Sequence, residues 1–222
     1  FGGLSSTQCG TLTTSGGLSA HYAYLVGARG HIYGLAGIEC GITYGGGQAS
    51  AMNDGSGIDV FAWTLCADAF YPTPGPNQWP RPGGGAIIVW DNAPNCQTTE
   101  IAVAGYFYMA AYTPDVLQVI RRPVSGMAKV ANCLNMETTL RGKDLGSAAF
   151  GSESGCNPCR QACPDPPTPP YVPPGEIPPP PPQDGDPGVP WVLLHTLPVA
   201  AGGAICDRGK LDDPADAVVS AG

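Results

Sequence analysis

Residues 100–112 read EIAVAGYFYMAAY, an apolar and aromatic stretch in which the character of the side chain changes from one residue to the next. If the side chains alternate with a period of two, one face carries tyrosines and the other carries aliphatic residues and a phenylalanine. The first face has Tyr106, Tyr108 and Tyr112, and the second has Ile101, Val103, Phe107 and Met109. The stretch therefore predicts a long β-strand.

Similar short runs occur on both sides of this stretch, and clusters of Gly, Pro and Asn separate them. We predict strands at 18–26, 31–44, 58–67, 86–91, 100–112, 116–121 and 128–134. A short helix is plausible only at 136–144. Seven or more antiparallel strands indicate an all-β protein, a β-sandwich of the Ig-like or jelly-roll-like kind stapled by disulfides, with a closed barrel as the alternative.

The composition excludes several classes of protein. Gly (32) and Pro (25) are too frequent among 222 residues for a mostly helical chain, and charged residues make up only 13%. The net charge of -8 argues against a nucleic-acid partner, which requires clustered Lys and Arg. We also predict no membrane span, because the sequence has no run of about 20 apolar residues.

Nine cysteines indicate an oxidising compartment and a disulfide framework. They are Cys9, Cys40, Cys66, Cys96, Cys133, Cys156, Cys159, Cys163 and Cys206. The sequence begins at Phe1 without a charged and apolar leader, as a mature chain does after its signal peptide is removed, so we expect an extracellular or cell-surface location. Because the number of cysteines is odd, one thiol has no partner among them. Cys9 and Cys206 are the candidates for a disulfide between chains.

Three cysteines lie close together in the sequence and raise the question of a metal site. Cys156, Cys159 and Cys163 resemble part of a zinc or iron–sulfur ligand run, with Cys206 as a fourth ligand. In an exported chain we favour a local disulfide knot and expect no metal or cofactor. Residues 53–59, which offer several oxygen ligands for Ca²⁺, are interpreted as a turn because they lack the acid spacing of a calcium loop.

The chain divides into six segments by composition. We assign 1–17 to an N-terminal arm or edge strand, 18–142 to the sandwich and 143–163 to a Cys-rich connector. Residues 164–190 form a polyproline-type arm, 191–206 an apolar strand and 207–222 an acidic tail. At about 3.1 Å per residue the arm spans roughly 80 Å, twice the diameter of about 40 Å expected of the sandwich. The arm is therefore long enough to reach a neighbouring molecule.

The apolar strand after the arm must be buried against protein. Alternation places Trp191, Leu193, Leu197 and Val199 on one face and Val192 and Leu194 on the other. We predict that this strand docks on an adjacent copy of the same chain, by addition to its sheet. Repetition of that contact gives an open polymer, so the sequence predicts a structural subunit of an extracellular filament, pilus-like or another surface polymer.

The sequence fits two other classes of function less well. The alternative is a secreted glycan-binding or adhesion module, in which Tyr71 and Trp79 of the loop 70–80 stack on a surface glycan. Catalysis is not expected, because the three histidines, His21, His31 and His195, are not spaced as a known catalytic motif. Five acidic residues could form a hydrolytic pair, but a chain of this length contains such candidates by chance: Glu39, Asp59, Asp68, Asp91 and Glu100.

Overall fold

The computed structural model describes residues 7–47, 53–75, 77–91, 94–151, 154–167 and 190–198. Several predicted features lie outside these ranges. They are the start of the N-terminal arm, the arm between 168 and 189, Val199, Cys206 and the tail at 207–222.

The described chain is almost entirely β-structure. The strands are β1 (Ser15–Gly16), β2 (Ala20–Ala28), β3 (Gly37–Thr43), β4 (Ile58–Leu65), β5 (Ala69–Pro72), β6 (Gly84–Val89), β7 (Ile101–Ala111), β8 (Asp115–Ile120), β9 (Lys129–Ala131), β10 (Glu137–Thr139), β11 (Ser147–Phe150) and β12 (Trp191–Pro198). A five-residue helix, α1 (Thr7–Thr11), precedes them, and short 3-10 turns occupy Gly45–Gly47 and Gly142–Asp144.

The strands form two sheets. Sheet A has the order β1-β11-β8-β3-β6-β5, with β9 paired to β3 and β10 to β9, and sheet B has the order β12-β2-β7-β4. The pairing between β1 and β11 is parallel, whereas the other strand pairs are antiparallel. The predicted all-β sandwich is therefore confirmed.

The main core lies between the two sheets. Its largest fully buried side chains include Phe107 and Leu25 from sheet B and Ile38, Ile88 and Leu117 from sheet A. These residues come from strands far apart in the sequence. A second, smaller cluster covers part of the outer face of sheet B and contains Cys9 and Leu12 from the N-terminal segment.

The alternation predicted for residues 100–112 is interrupted by a β-bulge. Leu25 pairs with Gly105 but the next residue, Val26, pairs with Val103, so β7 carries one extra residue at this point. Phe107 faces the main core, whereas Val103 belongs to the outer cluster. The prediction that these two share a face was wrong, because an extra residue reverses the direction of every side chain beyond it.

Gly105 is required at this bulge for a steric reason. A Cβ added there would overlap the Trp63 ring and would lie 2.5 Å from the Thr64 carbonyl oxygen. A second bulge in β4 follows from the same pattern, since Val60 pairs with Met109 and Ala62 with Tyr108, which leaves Phe61 as the extra residue. As a result Phe61 is exposed, whereas strict alternation along β4 would place it on the same face as Trp63.

Two stretches near the end of the sandwich differ from the prediction. Residues 136–144 form β10 and a 3-10 turn instead of a helix. The stretch 143–163 is not a separate connector, because it contains β11, which pairs with β8 and extends sheet A. Within the predicted N-terminal arm or edge strand, the described residues form α1 and the edge strand β1.

Candidate functional site: the C-terminal strand and its groove

The C-terminal strand β12 pairs along its whole length with β2. The antiparallel register runs from Trp191 opposite Ala28 to Pro198 opposite His21. Within this chain, therefore, the strand completes the same sheet that contains the central strand β7.

The other edge of β12 is also hydrogen-bonded. The Gly146 N–H donates to the Val192 carbonyl at 2.8 Å, and the Thr196 N–H donates to the Thr13 carbonyl at 3.0 Å. The Thr196 hydroxyl donates to the Ser15 carbonyl at 2.9 Å. Thus β12 lies in a groove with β2 on one side and residues 13–15 and 145–146 on the other, and its backbone has partners on both sides.

The side chains of β12 alternate between the two cores, as the sequence predicts. Val192 and Leu194 enter the main core, and both are fully buried. Leu193 is fully buried in the outer cluster, with Trp191 and Leu197 packed at its margin. Apolar burial on both faces stabilises this strand in its groove.

His195 is the titratable group of β12. It is buried, and its Nδ1 lies 2.9 Å from the Thr13 nitrogen and 3.1 Å from the Thr13 carbonyl oxygen, so Nδ1 accepts or donates according to the tautomer. Burial lowers the pKa of His195 below its usual value, and the backbone hydrogen bond with Thr13 partly opposes this shift. The groove therefore favours the neutral imidazole.

Two disulfides and one asparagine build the wall of the groove. Cys9 is bonded to Cys159 and Cys156 to Cys163. The buried Asn157 side chain donates from Nδ2 to the Cys9 carbonyl at 2.9 Å. These links hold the N-terminal segment beside residues 156–163, so the groove is formed by parts of the chain that are distant in sequence.

These bonds correct the prediction for the leftover thiol. Cys9 pairs within the chain, so it is not available for a bond between chains, and Cys206 lies outside the described residues. Among the described cysteines, Cys40 is the free one. It is fully buried on β3, and burial raises the pKa of its thiol to about 12.

The remaining cysteines fit a disulfide framework. Cys96 is bonded to Cys133, and Cys66 is disulfide-bonded as well. The close spacing of Cys156, Cys159 and Cys163 serves two disulfides, so these sulfurs are not thiolate ligands. Among the described residues, no group of three or more His, Cys, Asp or Glu side chains is placed to hold a metal ion.

The structure separates the two aromatic residues proposed for glycan stacking. Tyr71 is 58% exposed on β5, but Trp79 is only 7% exposed. The Trp79 ring packs against Trp63 and Phe107, with ring centroids 5.1 Å and 5.4 Å away. The hypothesis that Trp79 is an exposed platform was wrong, because the loop turns its ring into the core between the sheets.

Three of the five candidate acids line one groove on the outer face of sheet A. Its volume is about 560 Å³, and Glu39, Asp68 and Asp91 contribute to its wall with Ile87 and Val89. Glu39 accepts hydrogen bonds from Arg122 at 3.2 Å and Ser125 at 2.6 Å. Asp68 accepts the Asp91 N–H at 2.7 Å. These two carboxylates have structural partners.

The other two acids stabilise backbone elsewhere. Glu100 accepts the Cys9 N–H at 3.2 Å. The buried Asp59 accepts the N–H groups of Asp54 and Gly55 at 3.1 Å and 3.0 Å, which fixes the loop proposed for Ca²⁺ as a turn. His21 is hydrogen-bonded to Ser19 and Gly17.

Sequence reasoning identified β12 but missed the groove that receives it. Thr13 and Gly146 carry no motif, since one lies in a small polar segment and the other between a turn and a short strand. An indication in the sequence was that a buried apolar strand such as β12 needs hydrogen-bonding partners on both of its edges.

None of the helices in the described ranges is long and apolar enough to cross a membrane. No protein-family model, curated protein or solved structure matches this chain.

Proposed function

We propose that this protein is the structural subunit of an extracellular filament, in which each copy places its C-terminal strand in the groove of the next copy. The observation that carries this proposal is the position of β12. It is buried on both faces and hydrogen-bonded on both edges, yet it follows the sequence 168–189, which is rich in proline.

Exchange of β12 between copies preserves every contact that the strand makes within one chain. The groove and the strand are the same in each copy, so the register of Trp191 with Ala28 and the bond from Gly146 to Val192 are re-formed between molecules. Exchange of an identical element is a low-cost route to association.

The direction of exchange determines the product. A copy that gives its strand to one neighbour and receives a strand from another makes a head-to-tail contact, which forms an open filament when the rotation between copies does not close a ring. The proline content of 168–189 supports an extended connection, because polyproline chains are semi-rigid spacers. The disulfides support an oxidising compartment, in which such a polymer is durable.

The test is a pair of cysteines across the β12–β2 interface in the full chain. Tyr22 and Leu197 are directly opposite each other, and both are only partly buried. In the variant Tyr22→Cys with Leu197→Cys, exchange gives disulfides between copies. Non-reducing gel electrophoresis in detergent should then show a ladder of covalent oligomers, which collapses to one band after reduction.

The two single variants, Tyr22→Cys and Leu197→Cys, are the matched controls and should not form a ladder beyond dimers. Filaments should be visible by negative-stain microscopy in the unmodified protein. A double variant that becomes fully oxidised but migrates only as a monomer would show that β12 stays in its own chain, and the proposal would fail.

A further inference from the structure

The outer face of sheet B carries a connected group of aromatic rings, which we call the aromatic face: Phe61, Tyr22, Tyr106 and Tyr108. The ring centroids of Phe61 and Tyr108 are 5.6 Å apart, and those of Tyr108 and Tyr22 are also 5.6 Å apart. The ring centroids of Tyr22 and Tyr106 are 5.5 Å apart. The rings thus form one continuous row from β4 across β7 to β2.

The rest of the outer face is covered by the chain itself. Val26, Val103 and Leu193 are buried there under a cluster that includes Cys9 and Leu12. In contrast, Phe61 is 43% exposed and Tyr108 is 36% exposed. The fold therefore covers the part of this face near Val26, Val103 and Leu193 and leaves Phe61 and Tyr108 exposed at the other end.

The aromatic face has no charged side chains. The four strands of sheet B contain a single Asp, Glu, Lys or Arg, which is Asp59, and its carboxylate is buried and bonded to the backbone of the turn before β4. Such a face has no groups to pair with a phosphate, a sulfate or an ammonium group, so its charge fits a neutral ligand.

The residue types on the face narrow the ligand further. Tyrosine rings present an apolar body and a hydroxyl group, which suits a ligand that is apolar on its ring faces and rich in hydroxyl groups at its edges. The rings are inclined to each other by 40° to 90° and are not coplanar. Rings at these angles fit a ligand that is a single flexible chain better than a ligand that is the flat surface of a crystalline polymer.

We propose that the aromatic face binds a single chain of a neutral β-1,4-linked polysaccharide. The axial C–H groups of its pyranose rings pack on Tyr108 and Phe61, and its equatorial hydroxyl groups exchange hydrogen bonds with the tyrosine hydroxyls. Its two exposed rings, Phe61 and Tyr108, lie on β4 and β7, which do not pair with β12, so binding there does not depend on the proposed assembly.

The experiment uses the full chain and two defined probes, cellohexaose and chitohexaose, in titration calorimetry. The unmodified protein should bind at least one probe. Tyr108→Ala and Phe61→Ala should each weaken that association about tenfold, whereas Tyr108→Phe should retain most of it because the stacking ring remains. The control variants Tyr71→Ala and Tyr33→Ala remove rings that are 58% and 64% exposed elsewhere and should bind normally.

Thermal unfolding of each variant establishes that the fold is intact, as expected for exposed side chains. The proposal is overturned if the unmodified protein binds neither probe, or if Tyr108→Ala and Phe61→Ala bind as tightly as the controls. It is also overturned if these two variants change only the oligomeric state, since the face would then contact a second copy. Loss of filaments without loss of binding would affect the proposed assembly alone.

Discussion

A methyl group added to Gly146 would lie 2.8 Å from the Cβ of Leu193, which is closer than carbon atoms normally approach. Leu193 belongs to β12, and its Cβ cannot move aside without moving the strand. Gly146 also donates the hydrogen bond to Val192 on the same edge. The absence of a side chain at Gly146 therefore permits β12 to fill its groove.

The first prediction follows from this contact. Gly146→Ala should lower the free energy of unfolding by about 1 to 3 kcal/mol, because the added methyl group overpacks a closed contact. Urea unfolding measures this change, and faster hydrogen exchange at Val192 and Thr196 would place it at β12. Gly17→Ala is the control, since a Cβ there meets no atom within 4 Å. Equal stability of the two variants would contradict a tight groove.

The second prediction concerns the core role of Trp79. Trp79→Ala should lower the free energy of unfolding by about 3 to 5 kcal/mol, because its ring packs against Trp63 and Phe107 between the sheets. Tyr71→Ala, on the exposed part of β5, should stay within about 0.5 kcal/mol of the unmodified protein. Urea unfolding followed by far-ultraviolet circular dichroism measures both. A marginal effect at Trp79 would show that its ring is not part of the core.

The sequence was sufficient for those features that depend on local pattern. Residues 191–194 are all apolar, as in a strand that is buried on both faces, so the strand and its two faces could be predicted without knowing its partner. The partner itself could not, because the pairing with β2 joins residues more than 160 positions apart in the numbering (Trp191 with Ala28). No local pattern specifies such a contact.

The β-bulges are the main reason why strict alternation assigns some side chains of β4 and β7 to the wrong face of the sheet. The alternation around Gly105 does not show where the extra residue enters, and the Trp63 ring that a Cβ at Gly105 would meet belongs to a different strand. For the same reason the aromatic face was only partly predicted: Tyr106 and Tyr108 were assigned to one face, but Phe61 joins them only through the bulge in β4. Tertiary packing decided these positions.

The third prediction concerns the free thiol. Cys40 should not react with a thiol reagent such as 5,5′-dithiobis(2-nitrobenzoic acid) at pH 8 in the native protein, because it is fully buried and its pKa is raised to about 12. In 6 M guanidinium chloride it should react at once, and peptide mapping should locate the label at Cys40. The variant Cys40→Ala should lose that labelled peptide. Rapid labelling of native Cys40 would show that β3 opens readily.

The last prediction is that acid weakens the docking of β12. The folded pKa of His195 is lowered by burial, so the unfolded chain binds the proton more readily than the folded one. The contribution of neutral His195 to stability is therefore complete above the unfolded pKa of about 6.5 and is lost as the pH falls below it, towards the folded pKa. The other groups around the ring do not oppose this, since Tyr24, whose ring centroid is 6.1 Å away, has a raised pKa and stays neutral.

The measurement is urea unfolding between pH 7.5 and pH 5, with the variant His195→Asn as the control. Asparagine retains a polar group near the position of Nδ1 towards Thr13 but does not titrate in this range. Stability of the unmodified protein should fall more steeply with acid than that of His195→Asn, because only the imidazole takes up a proton in the unfolded state. Identical pH profiles would show that burial of His195 does not couple protonation to the docking of β12.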